Sequence, residues 1–398
     1  MNQTALHIGF LREPVTSRNI EKLSEELGIA CTPFTKLGGH LNFFDIPRLP
    51  PAIVFENLGI VIFRPKSPLL ADSKLFSDAF IEPSFLAFGA PEVRYQPRIA
   101  KLTESEGVSW GLLETGVLDS GLTGAGIRVC VIDSGIDLHP DLKTLSGHRS
   151  FAHVPTTDDS MGHGTFNAGI IAGSMTPRSG PRYGVAPNAL LFNAKVFGPG
   201  GKACTASLLA AIEWALQMGC HIASMSIGDQ LSGSSSVHTY MAAAAQRALS
   251  KGLLIIAGSG NDSDREATPF NLFPVAYPAN CAGVMAVAAV NSKLEIWSKS
   301  NPCINGTSGF VDIAAPGVAV TSAGRNGTYK MSNGTSIATP YVAGIAALYA
   351  EHCGARGQKL WDLVVNKAKP LPSQHVDDVG VGLVRAPDVS DARACAPR

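Results

Sequence analysis

Charge is scarce in this sequence. Asp, Glu, Lys and Arg make up 16% of 398 residues, and 32 basic side chains balance 32 acidic ones. A neutral chain with no basic stripe carries no electrostatic footprint for nucleic acid and no polybasic anchor for a membrane surface. Long apolar runs are missing too: none approaches the ~20 residues that a spanning helix needs. Residues 1–12 lack the basic start and apolar stretch of a secretory signal, so a chain beginning at Met1 is expected to stay in the cytoplasm. The eight cysteines, at positions 31, 130, 204, 220, 281, 303, 353 and 395, form no CxxC pair and no Cys/His cluster of metal-binding type. Without a signal, most are expected to be reduced thiols.

What the chain does have is apolar material, 45% of all residues, and 41 glycines. Both favour a large, closely packed core over disorder. Two textures follow one another. Residues 1–90 read as a small α+β domain: a strand over Leu6–Leu11, a helix over Ser17–Leu27 with Ser17 as its N-cap, and a strand pair over Ala52–Phe63 broken at Asn57 and Gly59. A second helix over Leu69–Phe80 and a last strand over Ile81–Phe88 complete it. Residues 91–108, rich in Pro and charge at their start, read as a linker. From 109 to 398, apolar runs (Ile127–Ile132, Ala189–Val196, Ile222–Ser226, Leu253–Ala257, Val284–Val290) alternate with helical ones (Gly164–Gly173, Ala206–Met218, Val237–Lys251). That alternation predicts an α/β fold: three layers, with a doubly wound, mostly parallel sheet covered on both faces.

Three segments carry residues with chemistry. The strand Val129–Ile132 ends in Asp133-Ser134-Gly135, and in an open parallel sheet the carboxyl ends of the strands face the crevice. Taken singly, such an Asp is more often a turn residue or a metal ligand. Gly162-His163-Gly164-Thr165 opens a helix of small residues, where a lone His is more often structural. Asn333-Gly334-Thr335-Ser336-Ile337-Ala338-Thr339-Pro340 places Ser336 beside a helix start, where free N–H groups and the dipole favour an oxyanion, although a Ser there is commonly just a cap.

Together these segments are far more specific. The order Asp, His, Ser and the flanking Asp-Ser-Gly, Gly-His-Gly-Thr and Gly-Thr-Ser-x-Ala-x-Pro resemble the subtilase family from about Trp110 to Val389. The resemblance implies a serine endopeptidase in which Ser336 is the nucleophile, His163 the general base and acid, and Asp133 the group that orients and steadies the imidazole. It implies an oxyanion donor at Asn261, which follows the strand Leu254–Ala257. It also implies an extended peptide substrate held as an added strand between Gly201-Lys202-Ala203 and Ser226-Ile227-Gly228, with Gly258 and Ala276 lining the pocket for the residue before the cut. The methyl of Ala276 suggests a shallow apolar pocket, suited to Leu, Met or a small aromatic residue. Tyr277-Pro278 resembles a cis peptide of the family.

Two further implications concern regulation and metal. The first 90 residues resemble the inhibitory propeptides of this family, with Ala79–Phe88 as the closing strand and self-cleavage within 88–104. An accessory domain that is never removed is the alternative. It would suit a dedicated processing protease or a transpeptidase acting on one precursor. Asp141 matches one calcium ligand of the family, but residues 175–183 supply no Asn or Asp, so no metal or other cofactor is expected.

Overall fold

The computed structural model describes residues 7–12, 15–43, 45–64, 76–80, 88–89, 107–228, 235–304, 309–391 and 394–395. Its first part is a five-stranded sheet in the order β2-β3-β4-β1-β5, in which β1 is His7–Leu11, β2 Cys31–Pro33, β3 Ala52–Phe55, β4 Ile60–Phe63 and β5 Phe76–Phe80. Only β2 and β3 run parallel. Helix α1, Ser17–Leu27, packs on it through Ile20, Leu23 and Leu27, which recur at helical spacing.

The apolar residues of β3 and β4 divide by alternation. Ala52, Val54, Val61 and Phe63 face α1, while Ile53, Phe55, Ile60 and Ile62 belong to the larger core of the rest of the chain. These strands are apolar at every position because both faces are covered. The expected N-cap moves by one residue: Thr16, not Ser17, accepts the Asn19 N–H, at 3.2 Å. The expected helix over Leu69–Phe80 is also corrected. Residues 69–75 lie outside the described residues, and Phe76–Phe80 is an edge strand paired with β1, so sheet pairing overrides helix propensity there. Residues 81–87 and 90–106, which hold most of the last strand and the linker, lie outside the described residues.

Short helices α2 (Trp110–Glu114) and α3 (Val117–Ser120) lead into a seven-stranded parallel sheet in the order β14-β13-β12-β11-β7-β9-β8. Its strands are β7 Arg128–Asp133, β8 Leu145–Ser150, β9 Leu190–Lys195, β11 Ile222–Met225, β12 Leu254–Gly258, β13 Val284–Val290 and β14 Ile313–Pro316. On one face lie α4 (His163–Ala172) and α7 (Thr335–Cys353), packed against Val129 and Val131. On the other lie α5 (Thr205–Gln217) and α6 (Ser235–Ser250), packed against Cys130 and Ile132. The result is a three-layer α/β fold. Strand β8 escapes the sequence pattern because it is an edge strand with alternating exposure and only one apolar residue.

The hairpin β15 (Val320–Ala323) and β16 (Tyr329–Ser332), then α8 (Gly357–Asn366) and α9 (Val376–Val379), complete the chain. A disulfide joins Cys353, at the end of α7, to Cys395; the other six cysteines are free, five of them buried. No helix among the described residues is long and apolar enough to cross a membrane.

The small sheet sits on α5 and α6. Glu213, fully buried on α5, accepts N–H bonds from Asn57 and Leu58 and from the Asn57 side chain, each at 2.9 Å. Burial pushes its carboxyl above the usual range, against the pull of those donors. From α6, Arg247 donates to the carbonyls of Leu58 and Gly59, and Tyr240 stacks on Phe10 at 5.9 Å. A second contact lies beyond β8. There Arg149 donates to the carbonyls of Leu37 and Gly39, and the Leu41 N–H meets Ser150 O at 3.3 Å.

Candidate active site

Asp133 is the last residue of β7, at the carboxyl edge of the sheet between β11 and β9. His163 is the first residue of α4. Both are buried, and His163 Nδ1 lies 2.7 and 2.9 Å from the two carboxylate oxygens of Asp133. This approach depends on Gly164: a Cβ there would sit 2.1 Å from the carbonyl oxygen of Gly135. Nδ1–H therefore donates to Asp133, and the lone pair is left on Nε2, which is buried and has no hydrogen-bond partner. Burial lowers the proton affinity of His163, but the Asp133 charge and hydrogen bond, with Asp159 behind them, outweigh it and raise the pKa.

Ser336 lies in the first turn of α7, not just before the helix as its sequence suggests. Its N–H is one of the four at a helix start that have no intrahelical acceptor. Around Gly334 the nucleophile candidate and the amide candidate meet. A Cβ on Gly334 would lie 3.0 Å from Ser336 Oγ and 3.7 Å from Asn261 Oδ1. Asn261 Oδ1 accepts from both the N–H and the hydroxyl of Thr335, each at 2.9 Å, which leaves Nδ2 as the end available to a ligand. Ser336 Oγ and His163 Nε2 are not hydrogen-bonded to each other in this state; such bonds commonly tighten only with substrate bound.

Some residues expected at the binding edges are tied to this region as well. Pro340, inside α7, has no N–H to give to the carbonyl four residues back, which is that of Ser336. That carbonyl instead accepts the Ser226 hydroxyl at 2.8 Å, tying the start of Ser226-Ile227-Gly228 to the helix that carries Ser336. A Cβ on Gly228 would meet the methyl of Ala276 at 3.6 Å, so these two lie side by side. Gly258 serves differently. Its missing side chain makes room for Thr335, whose hydroxyl would be 2.8 Å from a Cβ there. Gly201 lies in the turn before β10 (Lys202–Ala203), and β10 already has a partner: β6, the backbone of Phe88–Gly89, pairs with it antiparallel. The Tyr277–Pro278 peptide is cis.

The sequence pattern of the subtilase family matches residues 124–382. The chain belongs to the subtilase family. Over 262 residues it is 37% identical to the alkaline protease of Alkalihalobacillus alcalophilus, covering 65% of this chain and 64% of that one. It is 37% identical over 247 residues to Subtilisin BL of Lederbergia lenta (61% and 84% covered), and 35% identical over 270 residues to Subtilisin E of Bacillus subtilis strain 168 (65% and 66%). The match thus spans under two thirds of the alkaline protease it resembles.

The surroundings of Asp141 offer donors where a metal would need acceptors. Its carboxylate accepts the hydroxyls of Tyr183 (2.7 Å) and Tyr329 (2.9 Å) and the Arg178 N–H (3.0 Å). Calcium needs a cage of oxygens that donate electron pairs. Here the one carboxylate is occupied by O–H and N–H donors, and residues 174–183 bring no second acid. The residues present do not fit a calcium ion.

Two buried residues of this subtilase site carried no sequence signal on their own. Asp159 accepts from the Ser134 hydroxyl, from the N–H groups of Met161, Gly162 and Thr165, and from the Thr165 hydroxyl. It thereby fixes the turn into α4. Asn167, one helical turn after His163, donates to Asp133. Its place one turn after His163, among small and apolar residues, is informative only once His163 is known to pair with Asp133.

Proposed function

We propose that this chain is a serine endopeptidase acting through an acyl-enzyme on Ser336. The observation that carries this reading is the Asp133–His163 pair with its free, buried Nε2, set at the strand ends where Ser336 and Asn261 converge on Gly334. His163 takes the Ser336 proton as Oγ attacks the scissile carbonyl, then returns it to the leaving amine. Asp133 holds the tautomer and steadies the imidazolium. The Ser336 N–H and Asn261 Nδ2 receive the oxyanion. The substrate lies as a strand along Lys202–Ala203 and Ser226–Gly228, with an apolar side chain against Ala276.

The same reading makes the first 90 residues an intramolecular inhibitor. Its support is the backbone of Phe88–Gly89, which pairs with the edge that a peptide substrate would use. The expected sequence of events is cleavage between residues 88 and 104, followed by release. The test sets wild type beside Ser336→Ala. Wild type should react with a fluorophosphonate probe and gain a new N-terminus in that interval by intact mass. Ser336→Ala should do neither. Undiminished labelling of the variant would sink the nucleophile, and a stable full-length active enzyme would sink the inhibitor.

A further inference from the structure

Asn167 sits where the packing calls for an apolar side chain. Its neighbours on α4, Phe166, Ala168, Ile170 and Ile171, are fully buried in the hydrophobic core, and Asn167 is as buried as they are. Its Nδ2 donates to Asp133 Oδ2 at 2.9 Å and lies 3.3 Å from His163 Nδ1. Its Oδ1 is buried with no partner. Rotating the amide would set that oxygen against the Asp133 carboxylate, so the orientation is fixed by electrostatics. A buried, unpaired amide oxygen costs stability, and Leu has the same branched outline without that oxygen. Any gain that offsets this cost lies at the other end of the amide.

Three donors meet the Asp133 carboxylate: the Ser134 N–H at 2.6 Å, His163 Nδ1–H and Asn167 Nδ2–H. Only the last comes from the face beneath the imidazole, because positions four apart on a helix share a side. Asn167 therefore stops the carboxylate from rotating away from Nδ1. It also brings the positive end of an amide dipole close to the nitrogen that shares the imidazolium charge, which disfavours that charge. The charged groups around the pair are Asp133 on β7 and Asp159 ahead of α4, with Lys195, Asp137, Asp158 and Arg325 a layer further out around Asp159. None of these supplies a donor to Oδ2.

We propose that Asn167 is a positioning residue of the Asp133–His163 pair, holding the carboxylate in line with Nδ1 and lowering the readiness of His163 to keep a proton. This rests on the reading of that pair as the acid–base machinery. The test is the pH profile of kcat/KM for Asn167→Leu, with rates normalised to fluorophosphonate-titrated sites. Leu keeps the branched outline and removes the donor. The expected result is a kcat about tenfold lower, KM unchanged, and an acid limb moved up by about half a pH unit. Tm should change little, since losing the unpaired oxygen offsets the packing cost of the larger side chain. A folded Asn167→Leu with wild-type kcat and limb overturns the proposal, as does a lowered Tm with an unmoved limb.

A second measurement needs no variant at this position. In full-length Ser336→Ala labelled with 15N-asparagine, the Asn167 side-chain amide should shift with the His163 titration midpoint. An amide that ignores that titration overturns the proposal. His163→Ala separates the two levels. If it is inactive while Asn167→Leu is normal, only this inference fails; if it stays active, the acid–base reading fails first.

Discussion

Glu213 offers the sharpest test of how the N-terminal region is held. Three N–H groups converge on its buried carboxylate at 2.9 Å: two from Asn57 to Oε1 and one from Leu58 to Oε2. In Glu213→Gln the amide oxygen can keep the Asn57 pair, but its NH2 then faces the Leu58 N–H. The change removes one charge-assisted bond and leaves a buried donor without an acceptor, about 2–4 kcal/mol together. That is about 30- to 1,000-fold in the docking equilibrium. The reporter must lie away from the substitution. The Leu41 N–H suits, because its acceptor, Ser150 O, is across the second contact between the two parts. Hydrogen exchange by mass spectrometry on full-length Ser336→Ala, with and without Glu213→Gln, would read the peptide over residues 37–43. Exchange there should rise by at least about 30-fold, while β12 and β13 are unchanged. A change below about threefold at Leu41 would refute the idea that Glu213 holds the interface as a unit.

Three other outcomes are expected. The acid limb of kcat/KM should lie above 6.5, because the net effect of burial, Asp133 and Asp159 raises His163 and the neutral imidazole is the active form; activity that persists well below that value in a pH-rate profile contradicts this electrostatic balance. Asn261→Leu should lower kcat by about 10²–10³-fold with little change in KM, the effect of losing one oxyanion donor, and single-turnover acylation rates would check it. Chelation with EDTA should leave Tm unmoved through the Asp141 region, whereas Tyr183→Phe should cost about 1.5–3 kcal/mol in urea denaturation by taking a hydroxyl from a buried carboxylate.

The elements of the proposed catalytic site were legible in the sequence because each is local: an apolar strand running into Asp133, a small-residue helix opening at His163, and Gly-Thr-Ser-x-Ala-x-Pro around Ser336. Strand and helix periodicity then placed β7, β9, β11, β12 and β13 to within a residue or two. Pro340 belongs to that local information, yet its consequence is long-range, since the carbonyl it frees holds Ser226, 110 residues earlier in sequence. Contacts of that kind decided the rest. The polar edge strand β8 and the strand Phe76–Phe80 exist because neighbouring backbones pair with them, against their own patterning. The roles of Asp159 and Asn167 depend on which groups folding brings within 3 Å of a buried carboxylate or hydroxyl. The chain itself determined the candidate reacting groups and the sheet that carries them. The tertiary structure alone decided what surrounds them: a second helical turn beneath Asp133, tyrosines around Asp141, and the backbone of Phe88–Gly89 along the edge at Lys202–Ala203. Side chains and backbones far apart in sequence meet there by packing, and no local periodicity encodes such meetings.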